Sequence, residues 1–302
     1  MGGTTPPRCS ISDDLTKDEL SSIEERLDAH NQTQTGGRFH DPGVEFNVTV
    51  EGHNGEVVGG INASTKLGVM FLEVLWVADA YRERGLGERM LLEAERIGRE
   101  AGCGASQTWT FSFQAPGFYQ KLGYQTIGVF AGYPDGITEH VLVKQFLAGR
   151  ESDDAADLDD TISGFTVVGN ATEEDMRPVR SGFHDFCVAQ IGDEMENPGI
   201  KVRLALRDPG GQVVGGLFAW TTLRIVVPEL IWVDPPYRRQ GWGRRLLMEA
   251  ERIARAHGCI ASQSMALSFQ SPEFFHQLGY GVYGESDAYP DPFREQYFIK
   301  RL

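Results

Sequence analysis

The spacing of apolar residues changes several times along the first half of the chain. Phe46-Asn-Val-Thr-Val-Glu alternates apolar and polar, the period of a half-buried strand. His53-Asn-Gly55 predicts a hairpin turn, and Val57-Val-Gly-Gly-Ile opens the next strand. A short apolar run, Leu72 to Val77, leads to a glycine loop, Arg82-Glu-Arg-Gly-Leu-Gly87. Beyond the loop Met90, Leu91, Ala94, Ile97 and Ala101 recur at helical spacing, so an amphipathic helix starts there. Residues 106–113 predict another strand, Pro116 to Leu122 a short helix closed by Gly123, and residues 140–146 a final strand. Upstream, residues 12–30 predict a capped helix or a helix pair, with Asp13 and Asp14 at its start. Residues 31–41 predict a polar loop, and residues 1–10 disorder.

The pattern then repeats. At a constant offset of 156 positions, residues 55–146 align without gaps onto 211–302, with 42 identities over the 92 positions. Pro42-Gly43 matches Pro198-Gly199 at the same offset, whereas the first helices of the two halves do not match. Residues 147–163 are acidic and poor in large apolar groups, as expected of a linker. The predicted division is therefore 1–146, a linker at 147–163, and 164–302.

Each copy places a strand before a glycine loop and a helix after it. The first helical turn presents unpaired N–H groups and the positive end of a dipole, and the glycines allow close approach to that backbone. This is an anion site of the kind phosphates occupy. A Rossmann loop needs a third glycine where Met90 and Leu246 stand, and a Walker loop needs a Gly-Lys-Ser/Thr ending that neither copy has.

The formal net charge of -15 disfavours nucleic-acid partners and favours cationic ones, or serves solubility alone. No apolar run is long enough to cross a bilayer, and residues 1–7 do not have the form of a secretory signal. Cys9, Cys103, Cys187 and Cys259 form no Cys-x-x-Cys pair, and the seven histidines do not fall at ligand spacing. No metal is expected. A reducing, cytoplasmic setting follows as the simplest expectation.

The repeated loop, Arg82-Glu-Arg-Gly85-Leu-Gly87 and Arg238-Arg-Gln-Gly241-Trp-Gly243, resembles the Arg/Gln-x-x-Gly-x-Gly/Ala signature of GNAT N-acetyltransferases. The resemblance covers nearly all of both halves. It implies an α/β fold of two tandem domains, each a mixed, mostly antiparallel splayed sheet flanked by helices. It also implies acetyl-CoA as co-substrate, held at Trp76, Val77, Arg82, Arg84, Gly85, Leu86, Gly87 and Glu88. In the second copy the matching positions are Trp232, Val233, Arg238, Gln240, Gly241, Trp242 and Gly243.

For chemistry, the resemblance implies Glu73, with Glu229 as its equivalent, as the base for an amine. Tyr119 matches the family tyrosine that returns a proton to the leaving thiolate. Phe275 stands at the equivalent place in the second half and has no proton to give. Chemistry is therefore expected in the first half, with the second half retained as a structural partner. The expected substrate is a small-molecule primary amine, and the expected state a monomer whose halves form an intramolecular pseudo-dimer. Another acyl donor, or a non-catalytic acyl-CoA sensor, remains open at this point.

Overall fold

The computed structural model describes residues 9–38, 43–146, 161–162, 164–192 and 199–302. Most of the predicted linker lies outside them, but its end does not. Residues 161–162 form a short strand rather than connecting chain.

In the first half the strands are β1 (Ser10–Ser12), β2 (Glu45–Glu51), β3 (Val57–Lys66), β4 (Val69–Val77), β5 (Ala105–Phe111), β6 (Gln125–Phe130) and β7 (Glu139–Gln145). The helices are α1 (Lys17–Gln34), α2 (Leu86–Glu100) and α3 (Pro116–Lys121). The second half supplies β8 (Thr161–Ile162), β9 (Phe165–Gly169), β10 (Lys201–Arg207), β11 (Val213–Thr222), β12 (Ile225–Val233), β13 (Ala261–Leu267), β14 (Gly281–Ser286) and β15 (Glu295–Arg301). Its helices are α4 (Arg177–Ile191), α5 (Trp242–Ala256) and α6 (Glu273–Gln277).

Among the described residues all fifteen strands form one sheet, ordered β1-β10-β11-β12-β13-β15-β14-β6-β7-β5-β4-β3-β2-β9-β8. Pairing is antiparallel except for β4 with β5 and β12 with β13. The two halves meet edge to edge at β6 and β14, through the pair Gly128 and Gly284. The predicted pseudo-dimer thus takes the form of one continuous sheet.

The ends of the sheet show an exchange. β1 belongs by sequence to the first half but pairs with β10 of the second. β9 belongs by sequence to the second half but pairs with β2 of the first. The helices follow their strands. α1 packs on β11 and β12, and α4 packs on β3 and β4. Each half therefore gives its leading strand and helix to the other. Arg207 on β10 grips the N-terminal arm through Asp14 (3.1 Å) and Glu19 (2.9 Å).

The start of the arm differs from expectation. Cys9 is buried and residues 10–12 form a strand, so order begins before residue 11. The helix cap is Thr16, not Asp13 or Asp14. Its hydroxyl accepts from the Glu19 N–H while the Glu19 carboxylate accepts from the Thr16 N–H. The helix also runs on through Gln34, into the segment read as loop, before Gly36 and Gly37 turn it off at positive φ.

Each half keeps its own core between its sheet and the loop-following helix. Leu86, Met90, Leu91 and Ala94 of α2 lie against Val48, Val50 and Ile61. Trp242, Leu246, Leu247 and Ala250 of α5 lie against Leu204, Leu206 and Leu217. A buried ionic set is duplicated with the fold. Glu95 pairs with Lys144 at 2.7 Å, and Glu251 pairs with Lys300 at 2.7 Å. The four cysteines are free and buried.

Candidate functional site

In the first half β4 and β5 run parallel only from Val69–Ala105 to Leu72–Thr108, and then part. The fork opens at Glu73. Thr108 sits on the last rung and donates its hydroxyl to the Leu72 carbonyl at 3.1 Å. Tyr119, brought in by α3, is buried, and its phenol is hydrogen-bonded with Thr108. Burial pushes the Tyr119 phenol up to about 12. Glu73 is exposed at the mouth of the fork and accepts from the Ser64 hydroxyl at 3.0 Å. The two residues proposed for proton transfer thus flank the place where the sheet splits.

The glycine loop lies at the far end of β4. Gly85 caps α2 at φ 77°, in the left-handed region that favours glycine. No side chain caps this helix, so its first-turn N–H groups are left to a ligand or to water. Arg82 donates to the Val77 carbonyl at 2.9 Å, pairs with Asp79 at 2.8 Å and lies over Phe186 of α4. Arg84 donates to the Ala80 carbonyl at 3.2 Å. The arginines therefore brace the loop while adding positive charge beside the helix end. Leu86 points into the core. α4 comes so close to Trp76 that a Cβ on Gly182 would fall 2.2 Å from the indole, so only glycine fits there.

The second half repeats this plan with changes. Its parallel ladder has only the rungs Ile225–Ala261 and Val226–Ser262. Pro228, equivalent to Leu72, has no N–H to offer, whereas the register shift between Phe218 and Ala219 is shared with the first half, where it falls between Asn62 and Ala63. The fork therefore opens two residues earlier. A cavity of about 720 Å³ occupies it, lined by Glu229, Trp232, Val233, Arg238, Gly241, Trp242 and Gly243 among others. Gln240 instead ties back to the Pro236 carbonyl at 3.1 Å. Gly241 caps α5 at φ 83°, again with no side-chain cap. Trp242, the bulky residue between the loop glycines, turns into the core under Arg245 and leaves the loop backbone uncovered. Phe275 is buried against Tyr280 and Phe298.

One wall of this cavity could not be assigned to the second half from the sequence. Leu27, His30 and Asn31 reach it from α1, across the exchange. Trp232, matched to the acetyl-CoA positions, is buried and lines the cavity, and Met265 lines it while half exposed. The shared glutamines mainly close turns. Gln114 accepts from the Phe111 N–H at 2.8 Å, and Gln270 from the Leu267 N–H at 3.1 Å. Thr108 had no signal of its own, because a threonine in a strand is ordinary.

Chemically, both loops fit a pyrophosphate. They offer an uncapped helix N-terminus behind a left-handed glycine, with arginine nearby. Both forks expose strand edges where a thioester arm can lie. Among the described residues, no cluster of three or more His, Cys, Asp or Glu groups is arranged to hold a metal. No described helix is long and apolar enough to cross a membrane.

Known proteins resemble this chain in sequence. The acetyltransferase (GNAT) family model matches residues 11–124 and again 170–280. The chain is 43% identical over 95 residues to a blasticidin-S acetyltransferase of Streptomyces morookaense, covering 31% of this chain and 70% of that protein. It is 26% identical over 136 residues to an acetyltransferase of Agrobacterium fabrum, covering 45% of this chain and 97% of that protein. A crystal structure of an acetyltransferase from Bacillus cereus is 29% identical and matches with a TM-score of 0.42, over 45% of this chain and 96% of that one.

Proposed function

The chain belongs to the GNAT acetyltransferase family, and from that premise we propose that it moves the acetyl group of acetyl-CoA to a primary amine of a small molecule. Direct attack by the amine, within the first-half fork, is the proposed route. The observation that carries this reading is Tyr119, buried and hydrogen-bonded to Thr108 on the last rung before the strands part.

Acetyl-CoA, when bound, supplies the thioester. The backbone of Gly85, Leu86, Gly87 and Glu88 holds its pyrophosphate, with Arg82 and Arg84 beside it. Trp76 and Val77 line the end of β4 that leads to the loop. Glu73 takes the proton of the amine, directly or through water. Tyr119 returns a proton to the departing sulfur. Burial keeps its phenol protonated at neutral pH, the state a proton donor needs. The likeness to a blasticidin-S acetyltransferase and the net charge of -15 favour a cationic, antibiotic-like amine.

The test is product analysis by mass spectrometry with acetyl-CoA and a panel of amines that includes blasticidin S. Acetylation of at least one amine, reduced about a hundredfold or more by Tyr119→Phe, is the expected result. A chain that acetylates none of them overturns the reading.

A further inference from the structure

The reading above leaves the second fork without a task, although it holds the cavity of about 720 Å³. As α4 crosses over to the first fork, a helix of the other half completes this cavity. α1 lies by sequence in the first half, yet it contributes Leu27, His30 and Asn31 to a wall of the second. The imidazole of His30 meets the Trp232 ring edge-on, with centroids 5.4 Å apart. Among the described residues neither nitrogen of His30 has a hydrogen-bond partner.

The ring is held in place from several sides. Arg26, one turn back on α1, pairs with Asp234 at 2.7 Å. Asp234 also accepts the Trp232 indole N–H at 2.7 Å, which fixes the surface against which His30 rests. The Asn31 carbonyl accepts both the Thr35 N–H and its hydroxyl, which pins the end of the helix. Burial, and then the charge of Arg238, lower the His30 pKa below its usual value, so the ring is neutral near pH 7 and has a lone pair open to a proton. Glu229 and Glu273 line the same cavity, as do Arg238, Arg239 and Arg244.

We propose that this cleft is a second acyl-transfer site, completed by the helix of the other half, in which His30 accepts the proton of an amine nucleophile. The inference takes the acyl-CoA donor from the reading of the first half. The amine nitrogen attacks the thioester carbonyl carbon, and a C–N bond forms as the C–S bond breaks. The N–H proton passes to the His30 imidazole. The thiolate departs and is protonated by water, since Phe275 has no proton to give. The two forks then differ in how they handle protons. A carboxylate and a phenol act in the first, an imidazole in the second. Their acceptors differ too, because the walls supplied by α1 and α4 are unrelated in sequence.

The experiment uses the full chain with the first fork disabled by Glu73→Gln and Tyr119→Phe together. CoA release from acetyl-CoA is followed with a panel of alkyl and aromatic primary amines. Residual turnover is expected with at least one amine. Adding His30→Gln should lower it tenfold or more, while the thermal shift produced by acetyl-CoA stays the same. Residual turnover that is indifferent to His30→Gln overturns the proposal, as does a disabled chain with no residual turnover at all. A wild-type chain that acetylates no amine sinks this proposal together with the reading of the first half, whereas activity carried by Glu73 and Tyr119 alone sinks only this one.

Discussion

Gly128 and Gly284 are paired with each other across the join between the halves, and each is the other's equivalent in the repeat. A pseudo-twofold axis therefore passes between them. A Cβ built on Gly128 would lie 2.9 Å from the Gly284 Cα and 3.0 Å from the Tyr283 carbonyl oxygen. Both are backbone atoms and cannot swing aside. Gly128→Ala should push the two sheet halves apart and cost on the order of 1–3 kcal/mol, as overpacking does. Denaturant unfolding measures this directly, and an unchanged midpoint would show that the join is looser than its geometry.

The same join buries a carboxyl group. Glu295 accepts from Tyr297 at 2.5 Å, from Tyr289 at 3.0 Å and from Gln107 of the other half at 3.4 Å. Burial still raises its pKa above 4.5, outweighing those donors. The folded chain therefore binds this proton more tightly than the unfolded chain does. Its contribution is fully present below about pH 4.5 and fades as pH rises through the folded value. Glu295→Gln should consequently lose less stability between pH 5 and pH 8 than wild type, when both are followed by urea unfolding. Equal slopes would mean that the carboxyl is ionised throughout.

Lys144 and Lys300 make the equivalent test in the two cores. Glu95 is fully buried and Glu251 nearly so, each with a lysine at 2.7 Å. Lys144→Ala leaves Glu95 with Arg99 at 3.1 Å and the Tyr124 hydroxyl, and Lys300→Ala leaves Glu251 with the Tyr280 hydroxyl at 2.9 Å, so a loss of about 3 kcal/mol is expected for each. Thermal unfolding of the two variants should show parallel drops.

Gly85→Val probes the donor loop. Gly85 sits at φ 77°, so valine is strained there by about 1–3 kcal/mol, a cost the fold should survive. The added side chain also crowds the N–H groups at the start of α2. Retention on immobilised CoA through the first fork should be lost, which is best read with Gly241→Val as background so that the second loop does not mask it. Undiminished retention of the double variant would make both loops simple turns.

For Tyr119 the pH dependence is as informative as the substitution. With its phenol at about 12, the acid form persists across the assayable range. The rate should show no falling limb from this group below about pH 11. A limb near pH 8 that vanishes in Tyr119→Phe would mean that the phenol is far less buried in the working enzyme.

Local pattern was enough to predict the duplication, the strand–glycine loop–helix unit and the antiparallel strands around it. Those features depend on residues a few positions apart, such as Gly85 before Met90, Leu91 and Ala94, and period and turn chemistry act over that range. Glu73 and Tyr119 were singled out through the family resemblance, which itself rests on such local motifs. The exchange of β1 and α1 for β9 and α4 was a different matter. An arm with strand and helix character can pack on either half, and the choice is made by distant partners such as Arg207 for Asp14 and Asp234 for Arg26. The place of His30 in the second cavity, the partnership of Tyr119 with Thr108, and the meeting of Gly128 with Gly284 all depend on contacts between residues far apart in the chain or brought together by the sheet. Only the folded sheet, whose strand order no local spacing encodes, decided them.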